Sequence, residues 1–299
     1  MRVLVLGATG FIGFPVAQAL VRNGHIVYGL TRSDAKSKEL QAEEIIPIVG
    51  DPAKPKEWLE PLMPTLDCLV DTVGGSAEIN KLQELLIDTA ISLAKATRPA
   101  GSPKLSFIET SGTWVHGDDN AEIKSDSTPL TTPQELTQWR LAIETKLTQS
   151  TELNGTIIRP SLLYGRSGSL LATAMQSASK GKVSWIGTPD QRLATIHTDD
   201  LADLYLRAAE NPAAAAGRIF DGTNDYSVGV ADFLQVLQRT SKAEGEVEYQ
   251  KPSNAFESAL ASSAVLRPHL GRVLLGWHPK KASLVDGIDV YYAACLAAQ

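Results

Sequence analysis

Cysteine is nearly absent from this chain. Cys68 and Cys295 are the only two among 299 residues, too few for a disulfide framework and in keeping with a reducing compartment. Excess basic charge is also missing. Lys and Arg number 28 against 34 Asp and Glu, giving a formal net charge of -6 and a pI of about 5.5. That balance lacks the basic field that nucleic acid requires, so no nucleic-acid partner is expected. The two cysteines and five histidines show no metal-ligand spacing, and no metal is expected. Long apolar runs are lacking too. The nearest approach, VLVLGATGFIGFPVAQALV (3–21), is interrupted by Gly7, Gly10 and Gly13 and carries Pro15. A membrane helix wants about 20 continuous apolar residues, so the expectation is a soluble, cytoplasmic chain with no membrane partner.

What is present suits a large core: 43% of the residues are hydrophobic, enough for one large domain or two interlocked ones. Apolar strand-like runs at 2–6, 25–30, 45–49, 66–70, 105–109 and 156–158 alternate with helical stretches at 12–23, 77–95 and 133–149. Such alternation predicts parallel strands joined by helical crossovers, with ligands at the carboxyl ends of the strands. The fold expected is α/β, a Rossmann-type doubly wound parallel sheet with a smaller C-terminal substrate lobe. Residues 1–165, rejoined by 195–222, would form the sheet domain. Residues 166–194 and 223–299 would form the lobe, with helices at 167–180, 230–240, 253–266 and near 283–298.

The glycines of GATGFIG (7–13) follow the first strand and open the first helix. Gly7 permits a tight turn, Gly10 lets backbone approach a pyrophosphate, and Gly13 lets the helix pack on the strand. Free N–H groups at the helix start then face the phosphates. Gly7, Thr9, Gly10, Phe11, Ile12 and Gly13 are therefore the expected dinucleotide cradle. After the second strand an acidic residue would hold the ribose 2′-OH of NAD. Here Thr31, Arg32 and Ser33 stand instead, and Arg32 suits a 2′-phosphate, favouring NADP(H) over NAD(H). An ordinary exposed arginine is the competing reading. Asp51, after the third strand, could accept from the adenine amino group or simply hold a turn.

These residues resemble the extended short-chain dehydrogenase/reductase family, which includes NAD-dependent epimerases and dehydratases. The likeness continues through Gly50-Asp51, ETSGTWVHG (109–117), IIRPSLLYG (157–165), IHTDDLADLY (196–205) and LGWHPK (275–280). It implies a Rossmann-type domain and a catalytic Tyr-x-x-x-Lys pair. The tyrosine moves a proton while hydride moves at nicotinamide, and the lysine holds the nicotinamide ribose.

That pair is missing. None of the seven tyrosines has lysine four residues later. Anchoring the family's pattern on Glu144 puts Arg140 at the lysine position and Leu136 at the tyrosine position. Arg140 could bind ribose hydroxyls, but it does not act as an acid or base. The family's serine position falls on Gly112, flanked by Ser111 and Thr113. Candidate replacements are His116, just past the fifth strand, and Tyr164, past the sixth, with Ser111 and Thr113 holding a substrate oxygen. A loop histidine without a role, and a tyrosine packed under the lobe, are the competing readings. His197 reads as structural, with the aspartates after it capping the next helix.

Two functions remain open from sequence. One is an NADP(H)-binding oxidoreductase or epimerase-like enzyme for a small carbonyl, alcohol or sugar-like substrate, with a non-standard active site. The other is a non-catalytic NADP(H)-binding sensor or scaffold. A homodimer would form through helices 77–95 and 133–149 if the family's usual pairing is kept. The first is apolar enough, while the second carries Arg140, Glu144 and Lys146.

Overall fold

The computed structural model of the chain describes residues 1–75, 78–167 and 169–298. Ala77, Gly168 and Gln299, which fall within the segments expected at 77–95, 167–180 and 223–299, lie outside the described residues. Seven strands form the central sheet: β1 (Arg2–Leu6), β2 (Ile26–Thr31), β3 (Ile46–Val49), β4 (Cys68–Asp71), β5 (Ser106–Thr110), β6 (Asn154–Pro160) and β7 (Arg218–Gly222). Their order is β7-β6-β5-β4-β1-β2-β3, and every neighbouring pair is parallel. The connection reverses direction between β1 and β4, which opens a crevice at their carboxyl ends.

The strands read as apolar runs because both faces are covered. On one face Val3, Val5, Ile108 and Ile158 meet α1 (Gly13–Arg22) and the later helix Thr198–Glu210. On the other, Leu4, Leu69, Phe107 and Ile157 meet α2 (Ile79–Thr97) and α3 (Arg140–Thr148). Helix Thr198–Glu210 is α4. Among the described residues no helix is long and apolar enough to cross a membrane.

A second core gathers Tyr164, Trp185, Leu193, Phe233, Leu237, Leu284 and Tyr291. It lies among helices Ala172–Ser179, Val230–Ser241 and Ile288–Ala297 and a small sheet of Leu162–Tyr164, Arg192–His197 and Ser227–Gly229. The tail motif around Trp277 ties this part of the chain to α4. The Trp277 indole N–H donates to the Asp200 carbonyl (2.8 Å), and the backbone N–H groups of Lys280 and Lys281 donate to the Asp200 carboxylate (2.9 and 3.0 Å).

Several local expectations are corrected. The helix expected over 133–149 begins only at Arg140, after a 3-10 turn at Glu135–Thr137. The Gln134 N–H donates to the Trp114 carbonyl, pinning this segment to the loop after β5. The helix expected over 253–266 splits into Ala255–Leu260 and a strand, Ala264–Leu266, that pairs with Asp119–Lys124. The Ser263 N–H donates to Asp118 Oδ1 (2.8 Å), and tertiary pairing there overrides local helix propensity. The last helix starts at Ile288, because Ser283 and Asp286 close a turn ahead of it. His197 itself caps α4: its Nδ1 accepts from the Asp199 N–H at 3.0 Å.

Asp200→Ala is expected to take away the acceptor of the Lys280 and Lys281 N–H groups, which are partly buried, and to lower the unfolding free energy by about 1–3 kcal/mol. Urea denaturation followed by far-UV circular dichroism measures this directly.

Candidate functional site

The turn after β1 is held by close backbone approach. Gly7 has φ +71, and its carbonyl accepts from the Gly10 N–H at 2.8 Å. A Cβ on Gly13 would lie 2.2 Å from the Gly7 oxygen and 2.5 Å from Thr72 Oγ1. Thr72 donates in turn to the Leu6 carbonyl at 2.6 Å, stitching the end of β1 to the segment after β4. No side chain caps α1, and the N–H groups of Phe11 and Ile12 have no partner among the described residues. Free donors at a helix start, with no side chain in the way, fit an anionic phosphate group.

A cleft of ≈ 490 Å³ opens at this turn. Gly7, Thr9 and Gly10 line one wall, Arg32 and Asp51 follow β2 and β3, and residues 72–75 with Leu82 close the other side. The Arg32 guanidinium has no partner among the described residues. Asp51 Oδ1 accepts from the Ala53 N–H (2.9 Å), so this carboxylate also holds a turn.

The residues proposed for proton chemistry are engaged elsewhere. Ser111 Oγ donates to Glu144 Oε1 (2.5 Å), and Glu144 is gripped by Arg159 through Nε (2.9 Å) and Nη2 (2.5 Å). The His116 ring, 3% exposed, sits 2.8 Å from Asp221 on β7. Thr113 is buried in the 3-10 turn Thr113–His116. The Tyr164 hydroxyl donates to the Ala282 carbonyl (2.8 Å), and burial raises its pKa. None of these four lines the cleft. Arg140 does not line it either. Its Nη1 donates to the Thr110 carbonyl (2.9 Å), and its guanidinium lies over the Trp139 ring at 4.6 Å.

The family model for the NAD dependent epimerase/dehydratase family matches residues 3–229. The chain belongs to that family. It is 26% identical over 260 residues to "Epimerase family protein SDR39U1 homolog, chloroplastic" of Arabidopsis thaliana, covering 79% of this chain and 70% of that one. It is 24% identical over 318 residues to a 3-diazoavenalumate denitrifying reductase of Streptomyces sp, covering 96% and 99%. The fold is similar to that of dTDP-glucose 4,6-dehydratase from Bacillus anthracis in complex with NAD. The TM-score is 0.82 and the identity 14%, over 99% of this chain and 97% of that one. The family is that of NAD dependent epimerases and dehydratases, and the neighbour of like fold is itself a dehydratase in complex with NAD.

Within this epimerase/dehydratase frame, sequence reasoning missed two acids. Asp71 ends β4 and pairs in register with Glu109 on β5. They are 2% and 1% exposed. Gln83 Nε2 of α2 donates to Glu109 Oε1, while Glu109 Oε2 has no hydrogen-bond partner among the described residues. Asp71 Oδ1 accepts from the Val73 N–H at 2.9 Å. Burial pushes the Asp71 carboxyl up to about 6, against the opposing pull of the Val73 N–H, Glu109 and Arg140. Burial and then the Asp71 charge push Glu109 well above the usual carboxylate range. The signal was legible: LVDT (69–72) and FIET (107–110) each end an apolar run on an acid.

Both carboxyls hold protons more tightly folded than unfolded. Their contribution to stability is therefore complete below about pH 4 and is lost as pH rises, for Asp71 through about 6 and for Glu109 higher still. Glu109→Gln is expected to flatten the decline of unfolding free energy between roughly pH 4 and 8. Urea midpoints across that range check it, and a slope equal to the wild type's would contradict it.

Proposed function

We propose that the chain binds NADP(H) in the cleft at Gly7–Gly10 and acts as an oxidoreductase or epimerase-like enzyme on a small carbonyl, alcohol or sugar-like substrate. The observation that carries this is the cleft itself, which runs from the bare glycine turn to the unpartnered Arg32. The N–H groups of Thr9, Phe11 and Ile12 would face the pyrophosphate. Arg32, with Thr31 and Ser33 beside it, would hold the 2′-phosphate through charge-assisted bonds. Asp51 has one oxygen left for the adenine amino group. When bound, the nicotinamide supplies or accepts a hydride at the carboxyl edge of the sheet.

The chain's own contribution there departs from the family pattern. Leu136 moves no proton, and Arg140 stays charged. Any proton donor must differ from the usual tyrosine, so the active site is non-standard. The kinship to a protein named as a reductase supports the enzymatic reading. The second reading, a non-catalytic NADP(H)-binding sensor or scaffold, is favoured by Leu136 and by the intramolecular bonds of Ser111, His116 and Tyr164.

Arg32→Ala is expected to weaken NADPH binding by roughly tenfold or more while leaving NADH affinity nearly unchanged. Fluorescence titration of both cofactors reads this, and an unaltered NADPH preference removes the 2′-phosphate role. Turnover separates the two functions. Steady NADPH oxidation or NADP+ reduction with a member of a carbonyl and alcohol panel is the expected result. Tight cofactor binding with no turnover across that panel favours the sensor.

A further inference from the structure

We propose that Asp71 and Glu109 hold one proton between them and that this shared proton couples dinucleotide binding in the adjacent cleft to pH. The inference rests on the cofactor reading above and goes beyond it, because neither residue lines the cleft or belongs to the family's catalytic set.

The first argument is hydrogen-bond satisfaction. The two carboxyls stand in register on neighbouring strands, within hydrogen-bonding reach of each other, and both are buried. An ionised carboxylate only accepts. Glu109 Oε2 is an acceptor with no donor among the described residues, and a buried polar atom in that state is costly. A proton on the pair turns the same contact into an O–H···O⁻ bond.

The second argument is charge. Arg140 of α3 faces both acids, and Glu144 on the same helix faces Arg140. Glu144 is already matched by Arg159 of β6. Tyr205 of α4 faces the group from the other side: its hydroxyl lies 2.6 Å from Thr110 Oγ1, which donates to the Asp71 carbonyl (2.5 Å). Gln83 of α2 is uncharged. Two ionised acids against the one guanidinium of Arg140 leave a buried surplus of negative charge, and one shared proton removes it.

The third argument is connection to the cleft. Asp71 holds the Val73 N–H, and residues 72–75 form the cleft wall. Gln83, which holds Glu109, follows Leu82 of the same wall. A phosphate-bearing ligand in that cleft adds negative charge beside the pair. It therefore favours the protonated pair, so binding takes up a proton and affinity falls as pH rises.

Calorimetric titration of NADPH into the full chain, in two buffers of different ionisation enthalpy, tests this. Wild type is expected to take up part of a proton beyond the cofactor's own titration, and Glu109→Gln to take up none of that excess. The wild-type dissociation constant should rise roughly three- to tenfold more than the variant's between pH 6 and 9. In infrared spectra at neutral pH, a protonated-carboxyl band should be present in wild type and lost in Glu109→Gln. Binding with identical proton uptake and pH profile in both proteins overturns the proposal and leaves the cofactor reading standing. Absence of binding at every pH overturns the cofactor reading and the coupling together. If Glu109→Gln does not fold, Asp71→Asn replaces it. If neither folds, the absence of excess proton uptake in wild type overturns the proposal.

Discussion

Three atoms fix the carboxyl edge of the sheet: the Gly7 carbonyl oxygen, the Thr72 hydroxyl and the bare Cα of Gly13. A single methyl group on Gly13 would fall inside the contact distance of both oxygens. Because Thr72 also bonds the Leu6 carbonyl, the exits of β1 and β4 move as one unit. These are the two strands between which the sheet reverses its winding. The cleft, the direction of α1 and the placement of Asp71, the residue before Thr72, all inherit their positions from this contact. The turn is thus a packing device as well as the proposed phosphate cradle.

A second constraint is the buried polar network that ties α3 to the far half of the sheet. Ser111 bonds Glu144, Glu144 is held by Arg159, Arg159 faces Asp221, and Asp221 bonds His116. Asp126 accepts from the Asp221 N–H and from the N–H groups of His269 and Leu270, extending the network to the C-terminal segment. Ion pairs of this kind gain little net stability, since desolvation offsets most of the attraction. Breaking one is another matter, because the surviving charge is stranded. The effect is to make the arrangement of α3, β6 and β7 specific. It also explains why Ser111 and His116, attractive as chemistry from sequence, serve here as connectors.

The parts of the fold that could be read from sequence are those whose cause is local. Apolar runs, the glycine turn and the tail motif around Trp277 each carry their signal within a few residues. The segment 253–266 misled because its strand forms only against Asp119–Lys124, a partner more than a hundred residues away. The stretch 133–139 misled because one N–H is captured by Trp114. Arg32 and Asp51 could be placed at the cleft because strand ends in a parallel sheet point to the same side. Asp71 and Glu109 are each visible in the sequence as an acid ending an apolar run. What makes them a pair is the register of β4 on β5, which no single run encodes.

That pairing changes how the departures from the family pattern should be understood. Taken singly, Leu136 and Arg140 read as lost function. Arg140, however, brings a planar guanidinium that lies over Trp139, bonds the Thr110 carbonyl and faces Asp71, Glu109 and Glu144. A buried guanidinium needs acceptors, and buried acids need a cation or a proton. Without Arg140, Asp71 and Glu109 would face each other with nothing to balance them. Without those two acids, Arg140 would be a half-buried charge left with a carbonyl, an aromatic face and Glu144, which Arg159 already holds. Asp71, Glu109 and Arg140 therefore form one electrostatic unit behind the cleft wall at residues 72–75. In the proposed coupling, the proton content of this unit, and no single side chain in it, sets the field at the cleft.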